Sequence, residues 1–171
     1  MACVVCGWCG WGVGSAGLVR VGVAWQWCVF TQSATVLVVD VNGYFVAGSS
    51  VVSLVPARLL ESRGGLSTVD GLFNGIGVRG GGVVTALTVA GRGGVGGDAA
   101  AVVLNVTVVD ALGAGFVTVY PCGSVRPLAS RVSFWAGWTV ATAVLVLVVW
   151  AGQGCVCTTS GTGLVVSAGG A

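Results

Sequence analysis

The chain has 171 residues and a formal net charge of +2, and only 7% of its residues are charged, against about 25% in an ordinary soluble domain. Histidine is absent, which excludes Ser-His and Cys-His nucleophile pairs, histidine-bound zinc and imidazole proton relays. The few charges are scattered, so they predict binding neither to nucleic acid nor to an anionic membrane surface. We expect a protein with no catalytic activity, no cofactor and no metal site, long enough for one folded core.

Apolar, β-branched runs bounded by Gly, Asn, Asp or Pro predict a chain of strands. In chain order the predicted strands are 18–30, 35–46, 51–55, 83–90, 100–109, 115–120, 131–134, 140–150 and 154–166. The connections over 56–82 are long and rich in glycine. Short strands without a helical period predict an all-β fold, an antiparallel β-sandwich of jelly-roll or immunoglobulin-like type with Gly-rich loops.

An internal repeat organises the chain. Residues 4–44 align without a gap onto residues 131–171, and about twenty positions are identical. The identical pairs include Trp8/Trp135, Gly10/Gly137, Trp11/Trp138, Gln26/Gln153 and Cys28/Cys155. The repeat predicts that residues 1–45 are the C-terminal third of a preceding repeat, able to pack on the main domain, and that 46–171 form one β-sandwich repeat unit.

The segment 132–151 permits a second interpretation. It contains no charged residue and has a tryptophan near each end, as a transmembrane helix does. Its repeat partner, residues 5–24, contains Arg20 and several glycines. Because homologous segments share a fold, we favour two strands joined near Gly137, and the alternative is a small membrane protein anchored by a helix at 132–151.

A glycine-rich loop permits a third interpretation. Gly91–Gly96 matches G-x-G-x-x-G after a strand, and Asp110 follows at the spacing of a ribose-binding acid. A dinucleotide site also needs a helix after the loop, but the sequence that follows resembles a strand. The loop therefore reads as a hairpin turn, and a dinucleotide-binding enzyme is the less favoured alternative.

Three Arg-Gly-Gly triplets begin at Arg63, Arg79 and Arg92. Such triplets bind RNA when they lie in tandem in disordered tracts. Here apolar strands separate them, so we interpret them as loops.

The cysteines suggest a disulfide rather than a metal site. Cys3, Cys6 and Cys9 have ligand-like spacing, but the second copy of the repeat lacks the last two, so we assign them no metal. Cys28 and Cys155 share a repeat position, and Cys122 follows a predicted strand. In an exported sandwich a Cys122–Cys155 bridge would join neighbouring strands; buried free thiols are the alternative.

Four sequence segments follow one another along the chain. They begin at Val38 (VVDVNGYF), Val55 (VPARLLESR), Ala101 (AVVLNVT) and Gly115 (GFVTVYPCG). Together they resemble a repeat family found in large exported and cell-surface proteins of actinobacteria. In that family a P-x-R-L-L-D-T-R segment opens each unit and V-D-V-x-G-Y-F closes it. The resemblance covers nearly the whole chain and implies an all-β accessory domain with no established activity.

The two family segments define structural candidates. Arg58, Glu61 and Arg63 are expected to form an ion-pair cluster. Tyr44 and Phe45 are expected to close a sheet edge, within the motif that also contains Asp40, Asn42 and Gly43. A ligand-binding role for these residues is the weaker hypothesis, because exposed aromatic and arginine side chains are equally common in packing.

Two segments compete to close the sandwich. Residues 4–45 contain the intact closing motif, whereas residues 131–171 follow in chain order but end in Ser-Ala-Gly-Gly-Ala. A Cys122 bridge to Cys155 or to Cys28 would distinguish them. For the whole chain we expect a non-catalytic module of an extracellular or cell-surface protein, acting as a spacer, an adhesive or a carbohydrate-binding platform. Its expected partners are a cell-wall or surface glycan, or neighbouring domains of the parent protein.

Overall fold

A computed structural model describes residues 52–148 and 152–170. These residues belong to a compact unit that begins at Val52. Its eight strands are β1 Ser53–Glu61, β2 Val84–Thr88, β3 Ala101–Val109, β4 Gly115–Pro121, β5 Val132–Phe134, β6 Val140–Leu147, β7 Gln153–Thr158 and β8 Gly163–Gly170. The predicted strands at 18–30 and 35–46, the three N-terminal cysteines, Cys28 and the Asp40–Phe45 motif lie outside the described residues.

The strands form two antiparallel four-stranded sheets, with orders β1-β8-β3-β6 and β2-β7-β4-β5. The pairs β1–β8, β2–β7, β3–β6 and β4–β5 are all antiparallel, so the chain resembles one long hairpin rolled into two layers. This arrangement is the jelly roll, in which two interlocked Greek keys give a double sheet. The predicted all-β sandwich is therefore confirmed, with the jelly-roll order.

The core lies between the two sheets and follows the two-residue period of the strands. In β3, the side chains of Val102, Leu104, Val106 and Val108 have no exposed surface. Residues from the second sheet pack in the same cluster, among them Phe134 and Val156. One face of each sheet thus builds the interior, while the other face is available for loops or solvent.

Segment 132–148 forms strands, so the helix of the membrane alternative is not present there. Val132 and Phe134 are buried around the exposed Ser133. A turn then places Gly137 at φ 75°, a backbone conformation that glycine adopts without a Cβ penalty. The turn moves the chain from the β2-β7-β4-β5 sheet to the β1-β8-β3-β6 sheet. Among the described residues, no helix is long and apolar enough to span a membrane.

Two predicted strand boundaries were wrong. Strand β1 was expected at 51–55 but continues to Glu61, because that buried carboxylate is neutralised by arginines. The segment 154–166 was expected as one strand but is two, β7 and β8, in different sheets. Polar side chains stabilise the turn between them: the Thr158 hydroxyl donates to the Ser160 carbonyl oxygen at 2.7 Å, and Thr162 donates to the Val109 carbonyl oxygen at 3.1 Å.

The dinucleotide alternative is also wrong for this loop. A helix was needed from about residue 98, yet Ala101 opens β3. Two tight backbone bonds, from Gly91 N to the Val95 oxygen and from Val95 N to the Arg92 oxygen, close the loop as a turn. No helix N-terminus is therefore available there to hold a pyrophosphate.

Candidate functional site

The carboxylate of Glu61, at the end of β1, is the centre of the predicted ion-pair cluster. Its side chain has no exposed surface. Arg63 donates from Nε to Oε1 at 2.8 Å and from Nη2 to Oε2 at 3.0 Å, and its backbone N–H donates to Oε1 at 3.2 Å. Arg58 Nη1 donates to Oε2 at 2.9 Å. The structure thus brings Arg58, Glu61 and Arg63 together in one cluster.

The hydrogen bonds from Arg63 favour the charged forms of both Glu61 and Arg63. They lower the pKa of the Glu61 carboxyl below its usual value, against the opposing effect of burial. The same bonds raise the pKa of Arg63. Two guanidinium groups face one carboxylate, so the cluster carries one net positive charge. A carboxyl group whose pKa is lowered by bound arginine is poorly suited to deliver a proton near neutral pH.

An open groove lies beside Arg58. Its volume is about 620 Å³, within the range of small-molecule sites. It is lined by β1 residues Val55–Arg58, by the 67–69 loop and by Gly93 and Gly94. A Cβ on Gly93 would lie 2.6 Å from the Ala57 Cβ, so only glycine permits this turn to approach β1. The groove contains no aromatic side chain and no acid.

Arg92 forms a second polar cluster, which the sequence did not indicate. Its side chain is only 6% exposed. Nε and Nη2 donate to the two Asp70 carboxylate oxygens at 2.6 and 2.7 Å. Nη1 donates to the Thr88 carbonyl oxygen at 2.7 Å and Nη2 to the Leu59 carbonyl oxygen at 2.9 Å. One guanidinium therefore joins β1, the end of β2 and the long 62–83 connection.

The Arg92 cluster explains how the long, glycine-rich 62–83 connection is held to the strands. The guanidinium carbon lies 5.2 Å from the centroid of the Phe73 ring, a cation–π distance. The hydrogen bonds from Arg92 lower the pKa of Asp70 to about 2. Within the Gly91–Gly96 loop, Arg92 is the residue between the first two glycines, and its side chain points into the protein. The sequence signal for this role was an arginine in a tight glycine turn, which does not reveal its partner 22 residues upstream.

The third cluster surrounds the disulfide. Cys122 and Cys155 form a disulfide with their Cα atoms 5.0 Å apart, and they pack with Tyr120 and the buried free thiol of Cys157. Arg126 Nη1 donates to the Cys157 sulfur at 3.1 Å. This cluster lies on the sheet face opposite the core, where the 122–131 loop folds back over β7. The bridge that forms is the one to Cys155, in the C-terminal copy of the repeat.

The Arg-Gly-Gly arginines make contacts within the protein. Besides the bonds of Arg63 and Arg92, Arg79 donates to the Thr85 hydroxyl at 3.1 Å and to the Ile76 carbonyl oxygen at 3.3 Å. Asp110, the candidate ribose-binding acid, lies on an exposed turn at φ 49°. The three triplets therefore lie in turns whose arginine side chains contact neighbouring strands and loops.

The ion pairs, hydrogen bonds and disulfide of these three clusters connect strands to strands and strands to loops. Every buried side-chain nitrogen or oxygen atom of the described residues has a hydrogen-bond partner. The described residues contain no group of three or more Cys, Asp or Glu side chains placed to hold a metal ion. No family model, no curated protein and no solved structure matches this chain.

Proposed function

We propose that this chain is a non-catalytic β-sandwich module of an exported, surface-associated protein. The Cys122–Cys155 disulfide is the observation that supports it most directly, because disulfides persist in oxidising compartments and are rare in the reducing cytosol. The proposed partners are a surface or cell-wall glycan and the neighbouring domains of the parent protein.

The use of its polar residues supports a role without catalysis. Glu61 and Asp70 are each held by an arginine that keeps the carboxylate ionised. The remaining acids of the described unit, Asp98 and Asp110, lie on exposed turns. Catalytic carboxylates usually have environments that shift one pKa upward, whereas both resolved shifts here are downward. The resemblance to exported actinobacterial repeats agrees with this role.

The redox state of the cysteines in the source cells tests the proposal. Cells are quenched in acid, free thiols are alkylated, and the bridge is reduced and alkylated with a second, heavier reagent. We expect Cys122 and Cys155 to carry the heavy label and Cys157 the light one. Protease added to intact cells should also digest the protein. Light label on Cys122 and Cys155 together with protection from protease would contradict the proposal.

A further inference from the structure

A tryptophan-bearing turn at one end of the sandwich is the surface that the structural clusters do not use. Trp135 has 61% of its surface exposed and Trp138 has 37%. Large aromatic side chains are buried in most folds, and they are enriched at binding surfaces when they are not. The buried Phe134 immediately before the turn anchors it to the core. The Trp135 side chain is therefore exposed to solvent next to a residue that is anchored in the core.

The turn is held rigidly by its backbone. The Trp138 N–H donates to the Trp135 carbonyl oxygen at 3.1 Å, and the Gly137 N–H donates to the Ala111 carbonyl oxygen at 2.7 Å. Gly137 has φ 75°, so the turn depends on glycine at that position. A binding surface that is already ordered avoids much of the conformational entropy cost of association.

Three adjoining turns form a surface that we name the tryptophan end: residues 111–114, 135–139 and 159–162. The Gly137–Ala111 bond joins the first two, and the Leu112 N–H donates to the Gly161 carbonyl oxygen at 2.8 Å. Leu112 is 70% exposed. The three turns contain no charged residue, and their polar side chains at the surface are those of the exposed Thr139 and the half-buried Ser160. The Thr159 hydroxyl bonds to the Phe116 backbone, and Thr162 is buried.

The repeat supplies an independent observation. About half of the aligned positions differ between the two copies, yet the pattern W-x-G-W is identical at 8–11 and 135–138. The glycine is explained by the backbone of the turn. The exposed tryptophan is not needed for the core, so its recurrence is accounted for by a surface role.

We infer that the tryptophan end binds a neutral glycan, with the Trp135 indole stacked on the apolar face of a pyranose ring. This inference rests on the proposed surface function and names its site. A flat aromatic surface beside the hydroxyls of the exposed Thr139 and the half-buried Ser160 matches the alternating apolar faces and hydroxyl edges of a neutral sugar. The three turns carry no charged side chain, and the exposed carboxylate of Asp110 directly before the first turn disfavours a nucleic acid, an acidic peptide or an anionic lipid.

Affinity electrophoresis of the full chain tests the inference, with native gels that contain laminarin, dextran or yeast mannan as neutral probes. We expect at least one polysaccharide to retard the wild-type chain. Trp135→Ala should weaken the apparent affinity by about tenfold or more, and Trp135→Tyr should restore most of it. The control Val125→Ala removes a side chain that is 91% exposed on another loop, and it should migrate as the wild type does.

Equal thermal midpoints for all variants show that folding is unaffected. Retardation that Trp135→Ala leaves unchanged would overturn the inference while leaving a glycan-binding module in place elsewhere on the surface. Lack of retardation by every probe, or Trp135-dependent binding only to phosphatidylcholine vesicles, would also overturn it. None of these outcomes alters the cysteine labelling, so the surface location of the module is judged separately.

Discussion

Arg92 shows how a single side chain can order a long connection. A buried guanidinium is costly to desolvate unless its donors are satisfied, and here three nitrogens reach a carboxylate and two strand carbonyls. The planar fork of arginine meets the Asp70 carboxylate in bidentate geometry. The 62–83 connection is thereby tied to both sheets although it contains no regular strand of its own.

Replacing Arg92 should destabilise the fold strongly. We expect Arg92→Leu to lower the free energy of unfolding by about 3–5 kcal/mol, because it leaves buried carbonyl oxygens without donors and a carboxylate without its partner. Arg92→Lys should recover only part of the loss, since one ammonium group cannot reproduce the fork. Guanidinium chloride unfolding measures both. Arg131→Leu, at an exposed arginine, is the control, and a loss equal to that of Arg92→Leu would contradict the assignment.

The Asp70–Arg92 pair should make stability depend on pH in the acid range. The pKa of Asp70 is lowered to about 2 in the folded protein, from 3.8. Because the folded value lies below the unfolded one, its contribution is fully present above about pH 4 and is lost as the pH falls towards 2. Unfolding midpoints measured from pH 6 to pH 2 should fall for the wild type and fall less for Asp70→Asn. Parallel curves for the two proteins would show that the pair is not the source.

At the scale of elements, the disulfide joins the end of β4 to β7 across 33 residues. Closing a loop of this length restricts the unfolded chain, which corresponds to about 3–4 kcal/mol in the chain-entropy account. We therefore expect the paired Cys122→Ser and Cys155→Ser variant to lose stability of that order in chemical unfolding. Cys157→Ser keeps the bridge and should lose much less. If reduction of the wild type left its midpoint unchanged, the bridge would not stabilise the fold.

The existence of a strand could be predicted where apolar residues alternate regularly with others. The residues at which strands begin and end could not be predicted as well. The pattern of β3, with valine and leucine at every second position, gave its bounds within one residue. The segment 132–151 resembled a membrane helix partly because both faces of β6 are apolar. Leu145 and Leu147 are each 59% exposed on the outer face. The predicted strand ended at residue 55 because Pro56 and the charged residues after it resemble a loop. The bonds from Arg58 and Arg63 make the burial of Glu61 possible.

The Glu61 cluster and the Arg92 cluster also differ in how well the sequence predicts them. Arg58, Glu61 and Arg63 lie in the segment that resembles the family's opening motif, so the resemblance indicated their contact. A regular strand would place Arg58 and Glu61 on opposite faces, but β1 has a register shift between Arg58 and Leu60. Arg92 and Asp70 are separated by 22 residues of glycine-rich chain, and no periodicity relates them. The conformation that brings them together is set by positive-φ glycines and by carbonyl oxygens of two strands, neither of which a sequence pattern reveals.

At the scale of the whole molecule, the segment 131–171 supplies four of the eight strands in the described part of the chain. β5 to β8 fall within residues 132–170, and two of them occupy interior positions: β8 lies between β1 and β3, and β7 lies between β2 and β4. β8 forms although residues 167–170 lack the acid and the aromatic residues of the segment 40–45. Its Ser167 and Ala168 pair with both neighbouring strands, and backbone ladders tolerate small residues.

Deletion experiments test which copy is required. Removing 131–171 leaves residues 4–44 as the only repeat segment in the chain. We nevertheless expect this variant to be unfolded, with no cooperative melting by circular dichroism, because β1 to β4 pair chiefly with strands from the deleted segment. Removing 1–45 instead should preserve cooperative melting and the Cys122–Cys155 bridge. A cooperative fold in the first variant, with Cys122 bridged to Cys28, would show that the N-terminal copy can close a permuted sandwich, since only that copy retains a cysteine at the bridging position.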